Sequence, residues 1–382
     1  MKNKKLTFAE SVMLVAGAGI GTGLLTIPYA ISRVGIFGTL VALMLAYAVS
    51  AAMYLIIAEL ARNSQKSNDL LGILDEHLFG GKGKRVLNIV FLILLVLLLI
   101  ENLVVYILCA SSVFEDLSGV GGILSKLIFY AVASLVVMFG IKGIGIGEKI
   151  SVWLIGAVVI TLTVLAFFNV KGALNLSFGA PSAVFALYGL FMFAFSAIFS
   201  ILQVCNHIEK PEHTGKAVIC GLTLNAIITV IFTLAVIIGS ESVTEIATVG
   251  LSDAIGMPFV KIICAIMILF AMLSSFWSSG LAFADIVGSQ IKIPLRASWF
   301  IATLPALLIS AFIPLTVLDY VQIGAGALSV ILVIVVLPAY YNAARKSKNK
   351  LLLGKLATNK LFIVAVAVAV CLMAISSLIP IK

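Results

Sequence analysis

Three groups of residues inside long apolar runs could do chemistry in this chain. The first is Gly17, Gly19, Gly21 and Gly23, which alternate within residues 16–28. Each glycine inside a helix costs roughly 1 kcal/mol against alanine, so the four weaken a helix by about 4 kcal/mol. Small residues four apart also let helices approach closely in membranes. Gly17 with Gly21 has that spacing, and so has Gly19 with Gly23. Those pairs lie on opposite sides of a helix, so one packing face does not use all four. The run therefore predicts a helix that unwinds within the bilayer, where freed backbone groups survive only if they line a cavity or a site. The second group is Glu101 with Asn102, the acid expected deepest in an apolar helix. A carboxyl at that depth is a functional candidate, as a proton carrier or as a reader of a polar side chain; its plainer role is a hydrogen bond to a neighbouring helix. The third is Ser275, Ser278 and Ser279, one turn apart on a shared face. With the carbonyls of Ala16 and Gly19 they offer an all-oxygen site for a hard cation. Alternatively the hydroxyls bond neighbouring helices, at about 0.6 kcal/mol each.

Covalent chemistry finds no support. Thr22 and Leu24 stand where a dinucleotide loop needs its third glycine. Cys109, Cys205, Cys220, Cys264 and Cys371 form no C-x-x-C pair and have no metal spacing. His77, His207 and His213 fall in or beside expected loops. No nucleophile–base pair appears, so an enzyme is not expected, and no cofactor is implied.

The elements that must hold these groups are spanning helices. The chain of 382 residues is 62% hydrophobic and 11% charged, against about 45–50% and about 25% in a soluble domain. With about 20 residues per span, eleven spans follow, near 8–33, 36–61, 86–113, 123–141, 150–168, 182–206, 217–239, 258–285, 297–313, 317–341 and 360–380. Putting the N-terminus in the cytoplasm leaves only Arg33, Lys126, Lys171, Lys261 and Lys382, of 25 Lys and Arg residues, on the outer side. That bias is the positive-inside pattern of a cell (inner) membrane protein, with the C-terminus outside. The net charge of +9 is thus a topology signal, not a nucleic-acid signal. The outer loop 240–257, with Glu241, Glu245 and Asp253, suggests a short helix. Residues 80–85 suggest a flexible basic turn against lipid head groups. Glu10, Glu59 and Asp285 at cytoplasmic helix ends read as solvated charges or as part of an inner gate.

Span 1 starts inside and span 6 outside. Two five-helix halves, about 8–168 and 182–341, would therefore have opposite topology, as an inverted repeat requires, with an extra helix at about 360–380. All of residues 1–382 read as one transporter domain. Broken midplane helices in such repeats mark secondary transporters. Span 6 around Tyr188–Ala197 has one glycine and no internal proline, so its own residues read equally as a plain aromatic helix or as a second break.

Gly19-Ile20-Gly21-Thr22-Gly23-Leu24-Leu25-Thr26-Ile27-Pro28-Tyr29-Ala30 resembles the first-helix signature of the amino acid/auxin permease family, within the amino acid–polyamine–organocation superfamily. Phe193-Ala194-Phe195-Ser196 followed by Ile208-Glu209-Lys210-Pro211 is similar to that family's sixth helix and its exit. The run Ser274–Asp285 resembles bacterial aromatic amino-acid permeases. The resemblance implies an all-α, LeuT-like 5+5 inverted repeat with spans 1 and 6 broken, and amino-acid uptake coupled to an ion. It implies that N–H groups of Gly19, Ile20, Gly21, Thr22 and Gly23 hold the substrate carboxylate. Carbonyls near Phe193, Ala194 and Ser196, with those near Ala16 and Gly17, would take the ammonium, and Phe193 and Phe195 would wall the pocket. Sodium would sit at Ser278 and Ser279, with Ser275, Ala16 and Gly19. Related proton-coupled carriers can place a lysine in mid-span 5; here 151–168 has none, and Lys149 stands at its mouth. The co-transported ion is Na+ or H+, with Glu101 keeping the proton open. The expected function is import of a neutral amino acid by alternating access in a lipid bilayer. A non-transporting nutrient receptor, an exchanger and an ion channel are the rivals. The sequence sets no oligomeric state.

Overall fold

The computed structural model describes residues 5–64, 70–77, 84–137, 139–244, 247–313, 328–329, 331–347, 351–376 and 379. Much of the tenth expected span, the basic turn at 80–83 and Glu245 lie outside the described residues. What is described is helical, and its order follows the expected spans.

The first span starts where its sequence allows. Thr7 and Glu10 form a capping box: Thr7 Oγ1 accepts from Glu10 N–H at 3.3 Å, and Thr7 N–H donates to the Glu10 carboxylate at 2.8 Å. Helix α1 (Phe8–Gly19) then runs to the glycine stretch and stops, and α2 (Thr22–Val34) resumes after Ile20 and Gly21. Next come α3 (Ile36–Asn63), the short α4 (Leu70–His77), α5 (Lys84–Ser118), α6 (Gly122–Val137) and α7 (Gly140–Phe168). The sixth span is broken into α8 (Pro181–Ala194) and α9 (Ile198–His207). Beyond it lie α10 (Thr214–Gly239), α11 (Ala247–Ile255), α12 (Pro258–Ile291) and α13 (Leu295–Phe312). A π turn at Ile331–Val336 leads into α14 (Leu337–Lys346), and α15 (Lys360–Ser376) ends the series. The outer-loop helix expected at 240–257 is α11.

Seven of the described helices, with the broken sixth span taken as one, are long and apolar enough to cross a bilayer. Large apolar side chains such as Met44, Leu135, Phe139, Trp153 and Phe167 are exposed on the outer surface of the bundle. An apolar exterior over apolar spans of this length makes the chain an integral membrane protein.

The broken helices sit at the centre. Helix α1 packs on α7, α10 and α12, while α8 and α9 pack on α3. The chain ahead of α1 is tied to the end of α9: Leu6 N–H donates to His207 O at 2.7 Å, and Glu209 N–H donates to Leu6 O at 2.9 Å.

Three local readings change. The fifth span starts at Gly140 rather than near 150, so residues 140–149 are helix and not loop. Glu59 is buried, not solvated, and its carboxylate accepts the N–H groups of Leu352 (2.9 Å) and Leu353 (3.3 Å), tying down the segment before α15. Glu10 is also buried and is paired with Lys142 at 2.6 Å. Both acids found partners from segments distant in sequence, which charge counting along one helix end does not reveal.

Candidate substrate cavity between the two helix breaks

The break in the first span falls at Ile20–Gly21. Ile20 N–H still reaches back to Ala16 O (3.2 Å) and Gly17 O (3.1 Å), while Gly21 takes φ −66°, ψ −129° and turns the chain out of the helix. Helix α2 then begins at Thr22, with Leu24 N–H on Gly21 O at 3.3 Å. The N–H groups of Gly21, Thr22 and Gly23 precede any acceptor within α2. In the sixth span, Phe195 N–H closes on Phe191 O and Ser196 N–H on Phe193 O, both at 2.9 Å. Ala197 (φ −139°, ψ 34°) leaves the helix before α9 starts.

Glycine packing and helix unwinding prove to be one feature. A Cβ at Gly17 would overlap Glu148 Oε2 and Ser274 Oγ, on the side of α7 and α12. A Cβ at Gly19 would overlap Asn225 Nδ2 and come within 2.9 Å of Ala194 O, on the side of α10 and α8. The two sides of the run are therefore both occupied, and the chain unwinds just beyond them.

Between the breaks lies a cavity of about 580 Å³ of atom-free space, part of it open to solvent. Its wall takes Ala18, Gly19 and Gly21 from the first break and Phe193, Ala194 and Ser196–Ser200 from the second. Leu98, Asn102 and Tyr106 of α5, Ser278 and Ser279 of α12, and Leu328 complete it. None of these lining side chains is charged.

Of the expected substrate residues, Gly19, Gly21, Phe193, Ala194 and Ser196 line the cavity. Ile20 is fully buried in the core beside it. Thr22 and Gly23 follow at the head of α2. Phe195 does not wall the cavity: it stacks on Phe191 at 5.9 Å in the core. The carbonyls freed in the sixth span already have donors, Asn225 Nδ2 on Ala194 O at 3.1 Å and the Tyr54 hydroxyl on Phe195 O at 2.7 Å. Asn225 and Tyr54 were not singled out in the sequence; each is a polar residue in an apolar span, which is the signal that marks them.

Of the residues grouped for a cation, Gly19, Ser278 and Ser279 line the cavity. Ser275 Oγ reaches Ala18 O at 3.5 Å and lies beneath Gly21. Ser278 Oγ bonds Ser200 Oγ, and Gln203 Nε2 donates to Ser278 O at 2.9 Å. Ser279 faces the cavity, and Ala16 is buried away from it with its carbonyl on Ile20 N–H.

Asn102 lines the cavity and Glu101 stands behind it. Glu101 Oε2 accepts from Asn102 Nδ2 at 3.0 Å, Leu98 O accepts from the same nitrogen at 2.8 Å, and the Tyr106 hydroxyl donates to Asn102 Oδ1 at 3.2 Å. Those bonds fix which way the amide points. Glu101 is not the one deep acid: Glu148, on the stretch of α7 expected to be loop, is fully buried and accepts from the Ser274 hydroxyl.

Helices unwound in pairs around a polar cavity, inside an apolar bundle, define the class of secondary active transporters rather than enzymes. The chain belongs to the tryptophan/tyrosine permease family, which it matches over residues 4–377. No curated protein matches it. Among solved structures it is similar to MhsT in complex with L-phenylalanine, with TM-score 0.70 and 15% identity over 96% of this chain and 98% of that one. It is also similar to the nucleobase-cation-symport-1 family transporter MHP1, closed with bromovinylhydantoin bound (TM-score 0.68, 14% identity, 99% and 92% covered). A third is a Na+-coupled sialic acid symporter in a substrate-bound outward-open state (TM-score 0.68, 14% identity, 98% and 90% covered). At such identities the likeness is one of fold, and the fold is LeuT-like.

Proposed function

We propose that the chain imports a neutral, aromatic amino acid, held in the cavity between the two breaks and driven by a cation gradient. The observation that carries this reading is the charge pattern of the cavity. Among the described residues no charged side chain lines it, and four half-helix ends meet there: the N-terminal ends of α2 and α9 and the C-terminal ends of α1 and α8. N-terminal ends favour negative charge and C-terminal ends positive charge. A zwitterion needs one of each, without a net charge to neutralise. In this reading the carboxylate lies on the N–H groups of Gly21, Thr22 and Gly23, beside Gly19 and Ile20. The ammonium lies toward the carbonyls of Phe193, Ala194 and Ser196, which retain a second lone pair. Phe193 packs on the aromatic ring, as the family's name suggests, and Asn102, oriented by Glu101, reads a polar group on it.

The amino acid/auxin permease likeness stays within this proposal and rests on residues 19–30 and 193–211. So do the two inverted halves at about 8–168 and 182–341, the added helix at about 360–380, the single domain, and a cytoplasmic N-terminus with an outer C-terminus. Sodium would draw on Ser275, Ser278 and Ser279 with the carbonyls of Ala16 and Gly19; a proton would need a buried carboxyl.

The test is uptake of labelled L-tryptophan and L-tyrosine into proteoliposomes, under an imposed sodium gradient in one set and a proton gradient in the other. Accumulation under either gradient is expected. Binding without accumulation or exchange would point to a receptor, and exchange without accumulation to an exchanger.

A further inference from the structure

One fully buried acid of the described bundle does not line the substrate cavity. Glu148 lies eight residues into α7, about 12 Å along it at 1.5 Å per residue, and is fully buried. Its Oε2 accepts the hydroxyl of Ser274 on α12, and the same oxygen lies against Gly17 of α1, where any side chain would overlap it. Its Oε1 has no hydrogen-bond partner. One turn further along the same face of α7, the buried hydroxyl of Ser151 also lacks a partner. The side chain is thus wedged between three helices, three residues before the point where the first span unwinds.

Among the described residues no cation is paired with it. The ionisable groups on the elements packed around it are Glu10 on α1, Lys126 and Tyr130 on α6, Lys142 and Lys149 on α7, Lys216 and Cys220 on α10, and Lys261, Cys264 and Asp285 on α12. Lys142 is held by Glu10 at 2.6 Å, Lys261 by Asp116 at 2.9 Å, and Lys149 is exposed. Taking an ionised carboxylate out of water without a partner is costly enough that the group neutralises instead. Sodium is a poor match for the place. Among the described side chains, the oxygens left without a partner there are one carboxylate atom and one hydroxyl, fewer than the roughly six a hard cation takes, while one proton completes the group.

We propose that Glu148 is the carboxyl that binds and releases the co-transported proton. This rests on the import reading above. The proton enters as H+, converts the carboxylate to the neutral acid, and leaves as H+ on the opposite side. The neutral acid fits the packed arrangement of α1, α7 and α12. The carboxylate requires hydration, and therefore separation of α1 from α7 or α12. Each acid has one oxygen without a partner; Glu148 is favoured over Glu101 because its other oxygen is bonded to a second helix, through Ser274, whereas that of Glu101 is bonded to Asn102 of its own helix.

Glu148→Gln in proteoliposomes is the test, with labelled L-tryptophan as probe and substrate exchange as the measure of a folded, binding-competent carrier. The expected result is at least tenfold loss of proton-driven accumulation, with exchange retained and its pH dependence flattened. Ser274→Ala supplies a second readout. It removes the hydroxyl whose hydrogen bond the carboxyl accepts, so the pH profile of exchange should move. Proton-driven accumulation retained by Glu148→Gln overturns the proposal. So does an unmoved profile in Ser274→Ala, or loss confined to Glu101→Gln. A wild-type protein driven by sodium alone overturns it while leaving the import reading intact. A wild type that neither accumulates nor exchanges overturns the import reading itself.

Discussion

Gly19 is where the two breaks touch, and Gly19→Ala measures how much the cavity depends on that contact. The new methyl would overlap Asn225 Nδ2 and lie 2.9 Å from Ala194 O. Asn225 is fully buried and donates to that same carbonyl at 3.1 Å. The amide has to swing away, so two costs arise together. Forcing an extra methyl into a packed interior costs about 1–3 kcal/mol, and leaving a buried polar atom without its partner costs about 1–3 kcal/mol. The conformation with both breaks packed around the cavity is therefore destabilised by about 2–6 kcal/mol. Since 1.4 kcal/mol is tenfold in affinity, Kd for L-tryptophan should rise by at least about tenfold, with a lower Tm in detergent. The cycle with Asn225→Ala isolates the mechanism. In that background the overlapped atom is gone, so adding Gly19→Ala should cost less than it does alone, by about 1 kcal/mol or more. Strictly additive effects, or a Gly19→Ala protein with native affinity and Tm, would refute the contact as the organiser of the site.

Other perturbations test separate parts. Gly21→Leu pushes a side chain whose Cβ already stands 2.8 Å from Ser275 Oγ into the cavity wall; binding of L-tryptophan should be lost, and retained affinity would remove the first break from the site. Tyr54→Phe deletes the donor to Phe195 O, at about 1–3 kcal/mol. A fall in Tm is expected, and an unchanged Tm would mean the second break does not need it. Ser278→Ala with Ser279→Ala removes two hydroxyls that line the cavity; sodium-driven uptake should weaken if sodium binds there, and an unchanged sodium response would remove the helix α12 serines from a sodium site.

The first break was legible in the sequence because glycine carries its signal locally. Four in seven residues is a large helix penalty in one short stretch, and the chain parts at Ile20–Gly21. The second break was not legible in its own residues. Phe193–Ala197 holds no glycine or proline, and the unwinding is sustained from outside by Asn225 and Tyr54, which are 31 and 141 residues away from the carbonyls they satisfy. Of the cavity wall, Gly19, Gly21, Asn102, Phe193, Ala194, Ser196, Ser278 and Ser279 were named from the sequence, while Ala18, Leu98, Tyr106, residues 197–200 and Leu328 were not. The division of Phe193 from Phe195 was not foreseen, because it depends on where α8 ends, and two residues along a helix reverse the facing. Glu148 was missed for a similar reason. A window read by hydropathy starts the fifth span after the charged pair Glu148-Lys149, yet the helix runs through both, burying one and exposing the other. Hydropathy averages over the faces of a helix; burial does not.

The central claim is that an amino acid sits between the two broken helices, and a structure of this protein with L-tryptophan bound tests it most directly. The account predicts the carboxylate at the N–H groups of Gly21, Thr22 and Gly23, the ammonium toward Ala194 O, and the indole beside Phe193 and Asn102. Ligand found outside this cavity, with Gly21 and Phe193 untouched, would contradict it.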